Sequence, residues 1–521
     1  MMASSRAAWG LALGSGAALA LSFPLTESFA GLQPIAWLAL APLGLAVLTA
    51  PPRRAFLLGW LAGTAAYLAI LAWVVIVMHT YGHLPMIVSW ALLALLAAYV
   101  GLYVGLFALG WRWLAARWPR GSWLLAPAFW VALEWLRGHL LSGFPWALFG
   151  YSQYRQLALI QLAELTGVYG VSFLLVWVNV GFTHLLLATL KAPAGCPRSL
   201  PRYAPLLVAA VVVAAAVGWG HWRRAAVEAS LEPGLRVGLI QGNIPQAMKW
   251  DPAMRRETLE RYERLTRRAA EQGAELIVWP EASAPFFFEE EPDYQQAIRA
   301  LAAETGRSLL FGSPAVAQRD GEIRLLNSAY LLNPDGATQA RYDKLHLVPF
   351  GEYVPLGPLL GFVNKLVVGI GDFIPGPGPV LMEAAGRPLG VVICFEIIFP
   401  EVVRQFPLNG ARIIATITND AWFGRSAAPL QHFSMAVFRA IEHRTPVIRA
   451  ANTGISGVIG ATGRIGNRSA LFVEAALVEP VAVSPIRTFY TRAGDIFAVG
   501  CGILIALFII IGRTRTRRGI P

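Results

Sequence analysis

The chain has 521 residues, of which 56% are hydrophobic and only 14% are charged. Soluble domains contain about 25% charged residues, so this composition indicates a membrane protein and argues against an ordinary soluble enzyme. The net charge of +12 suggests a nucleic-acid partner only if the basic residues cluster on a soluble domain.

Apolar runs long enough to cross a bilayer, which takes roughly 20 residues, fill the first 220 residues and recur near the C-terminus. We predict eight spans, near 7–22, 33–50, 55–78, 85–113, 122–139, 168–190, 203–220 and 493–512. The first is short, and Ala18-Leu19-Ala20 resembles a signal-peptide cleavage site. Because further spans follow at once, we interpret it as an uncleaved span.

Lysine and arginine occur in alternate loops between these spans. The loops after spans 2, 4, 6 and 8 contain Arg53, Arg54, Arg112, Arg117, Arg120, Lys191, Arg198, Arg202, Arg513, Arg515, Arg517 and Arg518. The loops FPLTESFAGLQP and HTYGHLP contain neither residue type. The positive-inside rule then predicts that both termini are cytoplasmic and that the polar region 221–492 is exported. Topology accounts for most of the basic excess, so we predict no nucleic-acid partner.

In the exported region the pattern changes to alternating strand and helix signals. Strands are predicted for LRVGLIQGNI, ELIVWPEAS, SLLFGSPAV, PLGVVICFE, ARIIATITND, VIRAANTG and ISGVIGATG, and two more for NSAYLLNPDGATQARYDK on either side of its Asn-Pro-Asp-Gly turn. Helices are predicted for DPAMRRETLERYERLTRRAAEQG, DYQQAIRALAAETG, IFPEVVRQF and HFSMAVFRAIEHR. Asp251 is a predicted N-cap and Gly273 a predicted helix end. We predict a transmembrane bundle over 1–220, an α/β layered domain over 221–492, and a last span with a basic tail over 493–521. The Gly/Pro-rich stretch 355–376 is predicted to be a mobile lid.

Three chemically active side chains stand at the ends of predicted strands: Glu281, Lys344 and Cys394. Ligands of α/β folds bind beyond the carboxyl ends of strands. There a carboxylate can take the proton of a thiol, while an ammonium and the backbone N–H of Phe395 hold an oxyanion. Cys394 is also the only cysteine of the predicted exported region, so it has no intrachain disulfide partner there. The combination predicts acyl transfer.

Spacing alone leaves other interpretations open. A cysteine in a strand is usually a packing residue, a glutamate after proline is usually solvated, and a lone lysine is usually on the surface. His346 lies two residues after Lys344, so a Cys394–His346 dyad is an alternative catalytic pair. His432 and His443, on a predicted helix, fit either the core or the surface. No spacing indicates a metal site and no glycine pattern indicates a nucleotide site, so we predict no metal and no cofactor.

The motifs IVWPEAS, YDKLHLVPFGEYVP and VICFE, in this order, resemble the Glu-Lys-Cys motifs of the nitrilase (carbon–nitrogen hydrolase) superfamily, whose domain is an αββα sandwich. EWLRGHLLSGFPW and QGNIPQAMKW resemble the apolipoprotein N-acyltransferase family. The resemblance implies a bacterial inner-membrane enzyme with about eight spans and a periplasmic catalytic domain. It also implies Glu281, Lys344 and Cys394 as catalytic residues. Phe395 departs from the tyrosine expected in many members, which leaves the backbone amide unchanged.

The reaction implied by this resemblance has two steps. An acyl chain passes from a phospholipid, at the sn-1 ester of phosphatidylethanolamine, to Cys394. The thioester then acylates the N-terminal amine of a diacylglyceryl-cysteine on a lipoprotein. The implied partners are therefore a phospholipid, a diacylglyceryl-apolipoprotein and the membrane, and Glu352 is implied to orient Lys344.

Further residues keep two interpretations each. Glu396 supports the catalytic residues or caps a helix, and Asn327 supports the site or forms a strand-edge hydrogen bond. Trp250 contacts the acyl chain at an entrance or anchors the chain at the membrane interface. Glu134 and Arg137, three residues apart in a predicted span, form a structural pair or recognise a headgroup.

Two rival functions also follow from the sequence. One is a membrane-tethered amidase that releases ammonia from a small amide. The other is a transporter with an exported binding domain, which would require polar residues lining several spans. Apart from Glu134, Arg137 and His184, the predicted spans are poor in such residues.

Overall fold

The computed structural model describes residues 5–189, 203–319, 321–354 and 373–517. The chain divides into two compact units. The first comprises Met1–Val74, Ile87–Arg224 and Ala493–Pro521, and the second comprises Val75–Met86 and Ala225–Arg492. Of the predicted lid, 355–372 lies outside the described residues.

The first unit is helical. Its elements, with those at its borders, are the helices Ser5–Leu21, Ala41–Val47, Pro52–Ile70, Trp73–Ile76, Met86–Arg117, Ser122–His139, Leu157–Ile160, Ala163–Thr166, Val168–Thr189, Ala204–Ala229 and Ile496–Arg517, and the 3₁₀ turns Gln33–Trp37, Leu140–Ser142 and Phe149–Gln153.

Among the described residues, four helices are long and apolar enough to cross a membrane: Met86–Arg117, Val168–Thr189, Ala204–Ala229 and Ile496–Thr514. A fifth span results if Pro52–Ile70 and Trp73–Tyr81, which are bent by 53°, count as one. The prediction of eight spans therefore exceeds the number that the helices themselves support.

The shortfall has local causes. The predicted span 33–50 breaks into the turn Gln33–Trp37 and the helix Ala41–Val47, each with a proline at its first or second position. Proline lacks the N–H that would continue a helix from a preceding turn. Ser122–His139 is long enough, but it carries two charged residues and a histidine. Ser5–Leu21 has 17 residues, one fewer than the 18 taken as the minimum length of a span.

Glu134 and Arg137 are buried in the first unit. A Glu134 carboxylate oxygen accepts the Phe149 N–H at 2.6 Å. Arg137 donates to the Trp146 carbonyl at 3.3 Å and to the Tyr67 hydroxyl. Both charged side chains thus attach the stretch 146–149 to their own helix, which is what the structural interpretation requires.

The second unit contains two β-sheets. The described strands are β1 Glu232–Gln241, β2 Leu276–Val278, β3 Ser308–Arg319, β4 Glu322–Leu332, β5 Thr338–Asp343, β6 Leu381–Ala384, β7 Arg387–Ile393, β8 Ile413–Thr418, β9 Val447–Ala451, β10 Gly457–Ile459, β11 Ile465–Arg468 and β12 Ala475–Val483. They form two six-stranded sheets in the orders β12-β1-β2-β3-β4-β5 and β11-β10-β9-β8-β7-β6. Each sheet has a parallel centre, β1-β2-β3 in one and β7-β8-β9 in the other.

The two sheets pack against each other, since β1 contacts β9 and β4 contacts β7. The helices of this unit are Arg255–Glu271, Pro292–Thr305, Pro400–Leu408, Ala428–His443 and Phe489–Ala493. The first of them contacts β1, β2 and β12, and Ala428–His443 contacts β9 and β10. The predicted α/β layering and the implied αββα sandwich are therefore confirmed.

Local signals explain much of this unit. Asp251 accepts the Ala253 N–H at 2.9 Å at the start of the first helical segment, and Gly273 adopts φ +83 just after its end. An αL glycine commonly ends a helix because it has no Cβ to clash. The sheet-edge strands β6, β11 and β12 were not predicted, because short or half-exposed strands give weak periodicity.

Candidate active site

The site forms where strands from both sheets end. Lys344 directly follows β5 and Cys394 directly follows β7, while Glu281 lies three residues beyond β2. Asn419 directly follows β8. The structure brings these strand ends together: Lys344 Nζ lies 3.7 Å from Glu281 Oε1, and both groups act electrostatically on the Cys394 thiol.

Hydrogen bonds from β4 and from the residue after β8 hold the Glu281 carboxylate. Oε1 accepts an amide N–H of Asn327 at 2.9 Å, and Oε2 accepts the backbone N–H of Asn419 at 2.9 Å. Ala282, the next residue, adopts φ 44, a left-handed conformation that costs a non-glycine residue about 1–3 kcal/mol. The turn after β2 is therefore strained, and the hydrogen bonds keep its carboxylate in one place.

Lys344 is a buried ammonium between two carboxylates. Its side chain is 1% exposed, and Nζ lies 2.9 Å from Glu352 Oε2 as well as 3.7 Å from Glu281. Burial alone lowers the pKa of Lys344, but the charges of Glu352 and Glu281 outweigh it and raise the pKa above its usual range. The amine therefore stays charged, as an oxyanion partner must.

Asn327 and Glu352 support this pair. Asn327, on β4, donates from its amide nitrogen to Glu281 at 2.9 Å and to Glu352 at 2.8 Å. Glu352 also accepts the Val348 N–H at 2.7 Å. The two carboxylates are thereby held on either side of one lysine, at separations set by backbone and amide groups.

Cys394 begins the 3₁₀ turn Cys394–Ile398. It is buried, 9% exposed, and adopts φ 54, again a strained conformation of the kind that clusters at active sites. Phe395 is the second residue of this turn, and the first N–H groups of a helical turn have no acceptor within it. The Phe395 N–H can therefore donate a hydrogen bond to an oxyanion.

Glu396 caps the turn that begins at Cys394 and joins it to the segment after β5. It is fully buried and caps the turn by accepting the Ile393 N–H at 2.7 Å. It also accepts the N–H groups of Leu345 at 2.6 Å and His346 at 3.1 Å, and the Tyr342 hydroxyl at 2.8 Å. Burial raises its pKa to about 6, although these donors oppose the shift. One carboxylate thus ties the segment after β5 to the turn after β7.

Lys249 was not predicted from the sequence. Its ammonium is buried and donates to the Glu281 carbonyl at 2.9 Å. Burial lowers the pKa of Lys249 to about 8, opposed by the charges of Glu281 and Cys394. The neighbouring Trp250 is half-buried at the end of the same turn. A basic residue beside a tryptophan is typical of a membrane-interface anchor, so the motif itself did not separate these roles.

A second missed group lies behind Cys394. Asp420, near the end of β8, accepts from Arg449 at 2.8 Å, and His432 Nε2 lies 3.1 Å from the Cys394 carbonyl oxygen. All three side chains are buried. Burial raises the pKa of Asp420, but Arg449 and His432 outweigh it and lower the pKa to about 2. The sequence left His432 undecided between core and surface, and a buried ion pair 29 residues apart has no local signature.

His346 stacks its ring on Phe399, with centroids 3.7 Å apart. Besides burial, the main influences on the pKa of the Cys394 thiol are Glu281, Lys344, Asp420 and Thr418. These interactions support Glu281 as the base for this thiol, and the Cys394–His346 dyad stays a sequence-based prediction.

The surroundings of Cys394 favour the protonated thiol. Burial and the Glu281 carboxylate raise the pKa of Cys394 above its usual range, although Lys344 opposes them. The pKa of an ordinary cysteine thiol is about 8.5. We expect the rate of Cys394 alkylation by iodoacetamide to keep rising as the pH increases beyond that value. Peptide mass spectrometry isolates Cys394 from the other cysteines, and glutathione serves as the control that levels off. A plateau at or below pH 8 would instead show a thiolate paired with Lys344 at rest.

The chain matches two family models. Residues 15–181 match the apolipoprotein N-acyltransferase N-terminal domain, and residues 236–481 match the carbon-nitrogen hydrolase domain. An amidase structure from Nesterenkonia sp. matches with 20% identity and a TM-score of 0.38, over 50% of this chain and 93% of that one.

Full-length relatives agree with these models. An apolipoprotein N-acyltransferase of Geobacter metallireducens is 47% identical over 94% of this chain and 92% of its own. One of Methylococcus capsulatus is 36% identical over 92% of this chain and 93% of its own. With this identity over nearly the whole length, the chain belongs to the apolipoprotein N-acyltransferase family.

Proposed function

We propose that this protein transfers an acyl chain from a phospholipid to the N-terminal amine of diacylglyceryl-cysteine on a lipoprotein, through a thioester on Cys394. The observation that carries the proposal is the convergence of Glu281, Lys344 and a strained Cys394 at neighbouring strand ends. A carboxylate, an ammonium and a thiol so placed match the base, oxyanion partner and nucleophile that acyl transfer needs. Family membership supports the choice of substrates.

In the proposed first step the Cys394 sulfur attacks the sn-1 ester carbonyl of a phospholipid such as phosphatidylethanolamine. Glu281 takes the thiol proton while the S–C bond forms and the carbonyl π pair moves onto oxygen. Lys344 and the Phe395 N–H stabilise this oxyanion. As the intermediate collapses, the C–O bond breaks and Glu281 gives its proton to the departing lysophospholipid alkoxide.

In the proposed second step the neutral lipoprotein amine attacks the thioester. Glu281 takes a proton from the attacking nitrogen, and the same oxyanion partners stabilise the intermediate. The C–S bond then breaks, and the proton on Glu281 passes to the Cys394 sulfur. Amide formation from a thioester is downhill, so no nucleotide is consumed.

We propose a bacterial inner-membrane location, with both termini cytoplasmic and the catalytic domain periplasmic. The support is the arginine and lysine content of alternate loops together with helices apolar enough to cross a bilayer. A reporter fused after Pro521 should show a cytoplasmic C-terminus. A periplasmic signal would contradict the topology.

The function is tested with the purified full-length chain in mixed micelles. Phosphatidylethanolamine labelled in its sn-1 chain is supplied with a diacylglyceryl-cysteine lipopeptide. We expect N-acylated lipopeptide and lysophospholipid in a 1:1 ratio, and at most about one equivalent of lysophospholipid per enzyme when the lipopeptide is left out. Ammonia release from small amides without lipopeptide acylation would contradict the proposal and indicate an amidase.

A further inference from the structure

The peptide unit between Cys394 and Phe395 has a hydrogen-bond partner at its carbonyl oxygen. Its carbonyl oxygen lies 3.1 Å from His432 Nε2, and its N–H belongs to Phe395. A peptide unit is planar and trans, so its C=O and N–H point in opposite directions and turn together. A donor that fixes the carbonyl therefore also fixes the direction of the Phe395 N–H.

His432 is held as such a donor. Arg449 Nη2 lies 3.0 Å from His432 Nδ1, and arginine can only donate. Nδ1 therefore accepts, and the proton of a neutral imidazole lies on Nε2. Burial and the charge of Arg449 lower the pKa of His432, which keeps the ring neutral.

Asp420 completes this arrangement. Its Oδ1 lies 3.3 Å from His432 Nδ1 and 3.1 Å from Arg449 Nη2. The guanidinium supplies the hydrogen for both acceptors, since neither Nδ1 nor the carboxylate carries one. His432 is 1% exposed and the other two side chains are fully buried, so water does not compete for the imidazole.

The strained backbone at Cys394 needs restraint on both sides. Its φ of 54 is unfavourable for a residue with a Cβ, and such conformations persist only when the surroundings determine them. Glu396 holds the Ile393 N–H at 2.7 Å before the cysteine. His432 holds the carbonyl after it. Without the hydrogen bond from His432, the Cys394–Phe395 peptide could rotate, and the Phe395 N–H would no longer point at the oxyanion.

We propose that His432 is a positioning residue of the oxyanion site: its Nε2–H fixes the Cys394–Phe395 peptide so that the Phe395 N–H stays directed at the acyl oxygen. This role rests on the proposed function, because it assigns an oxyanion to the reaction. A hydrogen bond to the carbonyl also polarises the peptide and strengthens its N–H as a donor. His432 does not itself touch the substrate.

The test compares two reactions of the same thiol in the full-length chain. A long-chain fatty aldehyde forms a reversible thiohemiacetal: the S–C bond forms, the π pair moves to oxygen, and Glu281 passes the thiol proton to that oxygen. That oxygen needs the oxyanion site, whereas alkylation by iodoacetamide does not. We expect His432→Phe to lower the affinity of Cys394 for the aldehyde by about 10-fold or more, since removal of a full oxyanion donor costs about 10²–10³-fold in rate. Alkylation should change less than about 3-fold.

Two variants control for folding and for the loss of an imidazole. His432→Gln returns an N–H donor and should recover part of the aldehyde affinity. His443→Phe removes another buried imidazole of the same helix, one that pairs with Thr491 at 2.9 Å, and should leave both reactions within about 3-fold. Equal losses in both reactions for His432→Phe, no loss in either, or a glutamine variant as weak as phenylalanine would overturn the proposal. Neither reaction requires a lipoprotein, so failure of the acyl-transfer assay remains a separate result.

Discussion

Replacing Cys394 by serine is expected to reduce acyl transfer on the order of 10⁴-fold or more. A serine hydroxyl is far less acidic than a thiol, and burial next to Glu281 already raises the pKa of the group at this position. Glu281 would then be too weak a base to generate the nucleophile. Lipopeptide acylation, followed with the phospholipid labelled in its sn-1 chain, and lysophospholipid release, measured by mass spectrometry, should both disappear.

Cys501→Ser is the matched control, because Cys501 is the other buried cysteine among the described residues. It lies in the helix Ile496–Arg517, and we expect transfer to remain within about 3-fold. Substantial turnover in Cys394→Ser, or an equal loss in Cys501→Ser, would contradict the assignment of Cys394 as the nucleophile.

Replacing Lys344 by methionine should have the second largest effect. Methionine preserves most of the side-chain volume but removes the charge that faces the oxyanion. Loss of such a donor typically costs about 2.7–4 kcal/mol, or about 10²–10³-fold in rate. We expect this loss in the rate of thioester formation, measured in a single turnover, with little change in phospholipid binding.

The lysine also neutralises buried carboxylates, so its loss affects folding as well. Glu352 lies 2.9 Å from Lys344, and the double variant Lys344→Met/Glu352→Gln removes both members of that pair. We expect the second change to recover part of any lost thermal stability without recovering the rate. If the double variant regained near-normal turnover, Lys344 would have a structural role rather than an electrostatic one.

The positions of reactive side chains at strand ends were predictable, because they depend on the order of neighbouring residues in the sequence. Lys344 and Cys394 each directly follow a strand, and an apolar run that ends in a polar residue is visible in the sequence. Glu281 was placed at a strand end, although β2 covers only Leu276–Val278. What spacing could not supply was the meeting of β2, β5 and β7, which belong to two different sheets.

The supporting contacts were much less predictable. Lys249 reaches the Glu281 carbonyl across 32 residues, and Asn419 reaches its carboxylate across 138. Such pairs arise only when separate elements pack, so composition and periodicity carry no sign of them.

In the first, helical unit, hydropathy predicted where helices lie but not where they break. Apolar runs located its helices, but hydropathy alone overlooked the breaks at Pro34 and Pro42. It also placed 75–78 in a membrane span, whereas Val75–Met86 groups with the second unit. There the Tyr81 hydroxyl donates to the Ala421 carbonyl at 2.8 Å and its ring packs edge-on against Trp422. A tertiary contact of this kind is not visible in an apolar run.

Intact-protein mass spectrometry tests the central claim most directly. The full-length chain is incubated with phosphatidylethanolamine of defined chains and no lipopeptide, then digested to locate the modification. We expect one acyl mass on Cys394, matching the sn-1 chain, that disappears when diacylglyceryl-cysteine lipopeptide is added. An unmodified Cys394 under conditions that support transfer, or an adduct on Cys394 that the lipopeptide cannot discharge, would contradict the thioester mechanism.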